Sequence, residues 1–118
     1  MAMTLEVLVK QFAENVAAQT DAIFHPGTDP DDRHGDLYIQ AFKELRAHGD
    51  AGRAALATLF THQRVDVRVA AASFLLRYRT AEAKAILEEI AKRKGFFAFE
   101  AGQALKRWEE GTWALDPE

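Results

Sequence analysis

The residues with the clearest capacity for chemistry lie in residues 25–36, HPGTDPDDRHGD, a segment that holds four aspartates and two histidines. Hard cations such as Ca²⁺ need several oxygen ligands on a loop of fixed geometry. An EF-hand template that begins at Asp29 fails, because His34 stands where the loop needs glycine and Gln40 where it needs a bidentate glutamate. The two histidines also lack the HExxH spacing typical of zinc enzymes. We therefore interpret the segment as a solvated, self-capped helix entry and predict neither a metal nor another cofactor.

Candidate nucleophiles and carboxylate pairs do not match a catalytic arrangement. Cysteine is absent, and the one serine, Ser73, lies in an alanine-rich run that predicts a buried helix. There its hydroxyl is expected to bond a backbone carbonyl. The adjacent carboxylates Glu88 and Glu89 point about 100° apart on a helix and do not share a proton, and the same holds for the pair at 109–110. We therefore predict that the protein is not an enzyme and has no catalytic residues.

Length and composition indicate one ordinary domain. A chain of 118 residues is long enough to bury roughly two-thirds of the surface that its unfolded form exposes. The lack of cysteine excludes disulfide frameworks and is compatible with a reducing compartment. No apolar run approaches the roughly 20 residues of a membrane span, and the N-terminus lacks a signal-peptide pattern. We expect a cytoplasmic protein with no membrane partner.

Charge is distributed unevenly, although the formal net charge is only -3. Residues 1–36 carry 2 basic and 7 acidic side chains, residues 37–107 carry 13 and 7, and residues 108–118 carry 0 and 4. The corresponding net charges of -5, +6 and -4 place a basic region between acidic ends. Such a region attracts phosphate or an acidic protein surface, but it also pairs with acidic segments of its own chain.

Six helices account for the apolar residues, which recur at three- and four-residue steps without strand-like alternation. The first is expected to begin at a Thr4 cap and to stop before Pro26, and the second to begin at residues 29–32 and to end near His48, before Gly49. The third begins at an Asp50 cap and ends at a bend near His62 and Gln63; the fourth covers 65–78; the fifth begins at a Thr80 cap and is closed by residues 92–95; the sixth covers 96 to about 110 and stops at Gly111.

Each helix carries an apolar stripe that is expected to face the core. In the first helix the stripe consists of Leu5, Leu8, Val9, Phe12, Val16, Ile23 and Phe24, and in the second of Leu37, Tyr38, Ala41, Phe42 and Leu45. The tail, residues 112–118, is expected to fold back through Trp113 and Leu115, because a free tail would leave both exposed.

A shift of 30 residues brings the C-terminal half into register with itself. The matched inward positions are Val67, Val69, Ala71, Leu75 and Tyr78 in the first copy and Phe97, Phe99, Ala101, Leu105 and Trp108 in the second. Each copy is a helix, a short turn and a more hydrophobic second helix, which must stack on a neighbour to bury its faces. In this register Arg64 falls on Lys94 and Arg77 on Arg107, so stacked copies align two rows of cations.

Residues 62–75, HQRVDVRVAAASFL, resemble the inner turn and second helix of a HEAT repeat, in which a Val-Arg pair precedes a double alanine and a leucine. The resemblance covers residues 51–78, and a weaker copy covers 81–108, where Ala98 replaces the arginine. As a whole, the chain is similar to a family of small bacterial proteins of unknown function built from HEAT- or armadillo-like helices. The resemblance implies a packing role for Arg68 and an all-α fold, a right-handed α-α superhelix of about six helices. It implies no activity.

These observations predict one helical-repeat domain, with a capping helix pair over 1–49, repeats over 50–79 and 80–111, and the tail. Its expected function is to bind a protein partner on the curved face of the stack, as a regulator or an immunity-type inhibitor. The predicted binding residues are Arg64, Arg77, Lys94, Lys106 and Arg107. The alternative is a nucleic-acid-binding protein that uses the same cations, although the core spacing of the aromatic residues argues against it. A monomer and a homodimer both stay open, since the end of a short stack leaves an apolar face.

Overall fold

The computed structural model describes residues 4–24 and 33–111. Over these ranges the chain forms six α-helices and no strand, which confirms the predicted all-α class. Their bounds are α1 Leu5–Phe24, α2 Arg33–Ala47, α3 Asp50–Ala57, α4 Val65–Leu75, α5 Thr80–Ala91 and α6 Phe96–Glu109, with a 3₁₀ helix at Thr58–Thr61. Their right-handed superhelical stacking stays a prediction. The predicted start of the second helix at 29–32 and the tail at 112–118 lie outside the described residues.

The chain divides into two compact units, Met1–Leu59 and Phe60–Glu118. In the first unit α1 packs on α2, and α3 packs on both. An edge-to-face contact between the rings of Phe12 and Tyr38, with centroids 5.6 Å apart, joins α1 to α2. The buried apolar residues of this unit are Leu8, Phe12, Ala13, Val16, Ala41, Phe42, Leu45, Leu56 and Leu59.

In the second unit α5 packs on α4 and on α6, and α4 also contacts α6. One apolar cluster joins the three helices, and its buried members are Val69, Ala72, Leu76, Ala83, Leu87, Ile90, Ala101 and Ala104. The small alanines at these positions allow the helix backbones to approach closely. Phe97 and Trp108, which are half-buried, pack against the edge of the cluster.

Two of the predicted helix ends agree with the structure and two differ from it by one residue. The backbone N–H of Val7 donates to Oγ1 of Thr4 over 3.2 Å, so Thr4 caps α1 as predicted. Gly49, at a φ of 65°, follows the end of α2, and its N–H donates to the carbonyl of Arg46, which confirms the predicted stop. The predicted caps at Asp50 and Thr80 are wrong by one residue, because each is the first residue of its helix.

Thr80 and the end of α4 also depart from the prediction together. The Thr80 hydroxyl donates to the carbonyl of Leu76 over 2.7 Å instead of capping α5. Helix α4 ends at Leu75 and not at Tyr78, because the N–H groups of Tyr78 and Arg79 both turn back to the Leu75 carbonyl. The hydroxyl and the two amides together close a four-residue turn between α4 and α5.

Two glycines of the first unit lie at close helix contacts. A Cβ at Gly52 would lie 1.7 Å from the backbone oxygen of Leu45, so α3 approaches the end of α2 at a distance that only glycine permits. A Cβ at Gly35 would lie 2.6 Å from Nε2 of Gln19. The second contact also explains why Ile23 and Phe24, predicted to face inward, are about half exposed. Because α2 begins beside Gln19, the last turn of α1 extends past the described part of α2.

Two further inward predictions are wrong. Leu37 on α2 is 48% exposed, and Phe99 on α6 is 65% exposed although Val69, its repeat equivalent, is buried. Val69 is covered because α4 contacts both α5 and α6. No described helix follows α6, so the corresponding side of α6 has no neighbour among the described residues.

Candidate interaction surface

The turn before α4 is held by an ion pair between Arg64 and Asp66, which the charge pattern did not predict. Arg64 donates from Nε to Oδ1 of Asp66 and from Nη2 to Oδ2, each over 3.0 Å, which is the bidentate geometry of a strong pair. The Asp66 side chain is only 6% exposed and that of Arg64 39% exposed. The N–H of Val67 donates to the same carboxylate over 2.9 Å. Arg64, predicted as a binding residue, therefore neutralises a buried carboxylate of its own chain.

His62 receives a structural role in this turn. Its Nδ1 accepts the backbone N–H of Arg64 over 3.0 Å, and its carbonyl oxygen accepts Nη1 of Arg68 over 2.6 Å. These two bonds tie residues 62–64 to the first turn of α4. The sequence signal was the alternation His62, Arg64, Asp66, Arg68, which places two cations and one anion on a single turn.

The five predicted binding cations lie near helix ends. Arg64 and Lys94 precede α4 and α6, Arg77 follows α4, and Lys106 and Arg107 lie in the last turn of α6. Because residues 76–79 and 92–95 form short turns on either side of α5, helices α4 and α6 run in the same direction. The cations therefore fall into two groups at opposite ends of these helices, about 16 to 21 Å apart at a rise of 1.5 Å per residue.

Exposed aromatic rings accompany one of these groups. Phe96 and Phe99, at the start of α6, are 42% and 65% exposed. The Phe96 ring contacts the half-buried Phe97 edge to face, with centroids 5.4 Å apart, so its orientation is fixed from the core. The segment KRK, residues 92–94, is exposed and is separated from the helix by Gly95 alone. Within it, Arg93 donates to Glu89 over 2.6 Å.

We call the outward side of this helix the α6 face, defined by Phe96, Phe99, Gly102, Gln103 and Lys106. These residues recur at three- and four-residue steps and therefore share one side of the helix. All five are exposed or half exposed. A Cβ at Gly102 would meet no atom within 4 Å, so this side of the helix is open at its centre. The face combines two aromatic rings with a gap at the backbone.

Glu100 lies beside the α6 face and faces the Arg64–Asp66 pair. Although Glu100 is exposed overall, partial loss of hydration raises the pKa of its carboxyl above the ordinary value, and repulsion from the Asp66 carboxylate raises it further. Asp66 on α4 and Glu100 on α6 thus place two carboxylates near one another, and the Arg64 guanidinium pairs with that of Asp66.

The candidates for other chemistry are placed as follows. Ser73 is buried on α4. His34, the described histidine of the acidic segment, lies with Nδ1 3.0 Å from Oδ1 of Asn15, where it joins α2 to α1. Among the described residues no group of three or more histidines, aspartates and glutamates is placed to hold a metal ion. No helix in the described ranges is long and apolar enough to cross a membrane.

The comparisons with known proteins agree with the helical architecture. A domain of unknown function, DUF2019, matches residues 6–109. The crystal structure of the protein RPA1889 from Rhodopseudomonas palustris CGA009 is 31% identical, with a TM-score of 0.86, and the match covers 98% of this chain and 95% of that one. No match was found among curated proteins. Since the family match spans most of the chain, the chain belongs to the DUF2019 family.

Proposed function

We propose that this protein is a non-enzymatic protein-binding module and that its binding surface is the α6 face together with residues 92–94. The observation that carries the proposal is the exposure of Phe99, 65%, at a position whose repeat equivalent is buried. Aromatic side chains dominate binding energy at protein interfaces, because each buries a large apolar area with little loss of side-chain entropy. Phe99 is therefore expected to be the main anchor.

The cations near this end of α6 suit an acidic partner. Lys92, Arg93 and Lys94 precede the N-terminus of the helix, whose dipole adds further positive potential. Clustered charge of one sign accelerates association with a partner of the opposite sign. The proposed partner is a protein with an acidic surface that also offers an apolar pocket or groove to Phe96 and Phe99.

The module is proposed to act by binding its partner, without catalysing a reaction. On a HEAT- or armadillo-like scaffold, the module would hold or cover a partner, as a regulator or an immunity-type inhibitor does. Of the five cations that the sequence predicts as binding residues, this surface includes Lys94 and Lys106. Arg64 is engaged with Asp66.

The test is capture of partners from a native bacterial lysate by the intact protein. Phe99→Ser should reduce the captured partner at least tenfold, whereas Leu37→Ser, which removes an apolar side chain that is 48% exposed on α2, should leave capture unchanged. Lys94→Glu should weaken capture and make it less sensitive to salt. Equal capture by the parent and the Phe99→Ser protein would overturn the proposal.

A nucleic-acid-binding function is the second candidate, and the structure supplies an observation in its favour. The expected core placement of the aromatic residues is wrong for Phe96 and Phe99, which are exposed beside three cations. Single strands bind by stacking bases on such rings and by pairing phosphates with cations. Anisotropy titration with a labelled single-stranded oligonucleotide would show affinity that falls steeply with salt. No binding at low salt would exclude this candidate.

A further inference from the structure

We infer that the α6 face pairs with the α6 face of a second copy of this chain, in an antiparallel helix pair centred on Gln103. The inference rests on the proposed function, because it assigns a partner to the same surface. Its first support is the order of charges along the helix. Cations occupy residues 92–94 before α6, and the carboxylates Glu109 and Glu110 stand at its end. When two copies pair antiparallel about Gln103, Glu110 of one copy lies opposite Phe96 of the other, two residues from Lys94, so opposite charges come close at both ends of the pair.

The inner charges follow the same rule. Glu100 lies three residues before Gln103, and Lys106 lies three residues after it. An antiparallel pair centred on Gln103 therefore sets Glu100 of each copy level with Lys106 of the other along the axis of the pair. A parallel pair would set like charges opposite one another along the whole helix, which costs free energy at every contact. The charge order thus selects the antiparallel direction of the pair.

The apolar and small residues fit this register. Phe99 lies four residues before Gln103, so it meets the aliphatic stems of Lys106 and Arg107 in the other copy. Gly102 stands next to the centre, where helix backbones come closest. None of the described residues requires glycine there, since a Cβ would meet none of their atoms within 4 Å, and glycine weakens a helix interior relative to alanine. Close approach of a second helix supplies a reason for this residue.

The interface is small, which sets the expected affinity. The exposed parts of Phe96 and Phe99 in two copies amount to about 400 Å² at roughly 200 Å² per phenyl side chain. Stable complexes bury about 1,200 Å² or more in total, so a single helix pair belongs to the weak, transient class. We expect a dimer that forms at micromolar concentrations or above and that an acidic partner displaces from the same face.

Cysteine cross-linking tests the geometry cleanly, because the chain contains no cysteine. Under mild oxidation Gln103→Cys should form a disulfide-linked dimer with itself. Phe96→Cys should not link to itself but should link to Glu110→Cys when the two proteins are mixed. Self-linking of Phe96→Cys would show a parallel pair and overturn the inference, and so would failure of Gln103→Cys to link at concentrations where association is expected.

Sedimentation of charge variants provides a second test that does not depend on an aromatic residue. Lys94→Glu and Glu110→Lys should each weaken dimerisation about threefold to tenfold, as expected for exposed ion pairs that occur twice in a symmetric dimer. The double variant should recover the parent's affinity, because it restores opposite charges across the pair.

Two outcomes separate this inference from the proposed function. A protein that is monomeric at every concentration, yet captures a lysate partner through Phe99, would overturn the pairing and support the proposed function. A dimer that is lost in Phe99→Ser, in a protein that captures nothing else, would support the pairing and overturn the proposal of a heterologous partner.

Discussion

Alanine at each of three helical glycines, Gly35, Gly52 and Gly102, is expected to change the stability of the fold differently. The added methyl group has different surroundings at each position. Built at Gly52, a Cβ lies 1.7 Å from the backbone oxygen of Leu45 and 2.6 Å from its carbonyl carbon. Built at Gly35, it lies 2.6 Å from Nε2 of Gln19, the flexible end of a side chain, and at Gly102 it meets nothing within 4 Å. Comparing the three alanine variants therefore separates the effect of packing on stability from the effect of helix propensity.

The magnitudes follow from what must move. To restore an ordinary contact of 3.4 Å at Gly52, α3 must shift from α2 by about 1.7 Å, which disturbs the packing of the fully buried Leu45 and Leu56. Overpacking against backbone costs about 3 kcal/mol, and the better propensity of alanine returns about 1 kcal/mol. Gly52→Ala should therefore lower the free energy of unfolding by about 2 kcal/mol or more. Gly102→Ala should raise it by about 0.5 to 1 kcal/mol, and Gly35→Ala should lie between.

Urea denaturation of dilute protein, followed by far-ultraviolet circular dichroism, measures the series. With a slope of about 2 kcal/mol per molar urea, the midpoints of Gly52→Ala and Gly102→Ala should differ by about 1.5 M. The three proteins differ from the parent by the same single methyl group, so each serves as the control for the others. A midpoint for Gly52→Ala equal to that of the parent would refute the reasoning, because it would mean that α3 does not lie against the Leu45 carbonyl.

Three further predictions address charge and capping. Arg64→Ala should lower the free energy of unfolding by about 1 to 2 kcal/mol in a thermal melt, since it removes the bidentate ion pair from the buried Asp66; an unchanged melting temperature would contradict this. Because the folded-state pKa of Glu100 is raised, its ionised form destabilises the fold, and stability should rise as the pH falls through that pKa. Glu100→Gln should therefore be at least as stable as the parent at neutral pH, with a difference that fades near the ordinary glutamate pKa of about 4.3; a less stable variant would refute the sign. Thr4→Ala should cost about 1 kcal/mol in urea denaturation by removing the acceptor for the Val7 N–H, whereas Thr4→Ser should retain it.

Residues that start and stop helices were predictable because their effect is local. Thr4 caps α1 through a bond to an amide three residues away, and Gly49 ends α2 at a positive φ. Asp50 and Thr80 were predicted as N-caps but are the first residues of their helices. Aspartate and threonine suit the first turn as well as the cap. Such choices depend on bonds within about four residues, and the sequence contains both partners side by side.

The candidate site was predictable only in part. The sequence shows that Arg64 and Lys94 are cations, and their equivalent positions in the 30-residue repeat suggested that both bind a partner. In the structure Arg64 turns inward to Asp66, whereas Lys94 lies exposed before α6. Phe99 shares the apolar character of Val69 and differs in burial. Both differences depend on which helix lies alongside, which a one-dimensional pattern does not specify.

The all-α class, the six helices of the described residues and most of their ends follow from the sequence, because periodicity and capping act within a few residues of the chain. Which side of each helix is covered depends on tertiary packing. Gly52 carries no side chain because a neighbouring carbonyl occupies that space, whereas at Gly102 none of the described residues occupies it. Phe99 is exposed because burial requires a neighbouring helix, and α6 has no further described helix on that side.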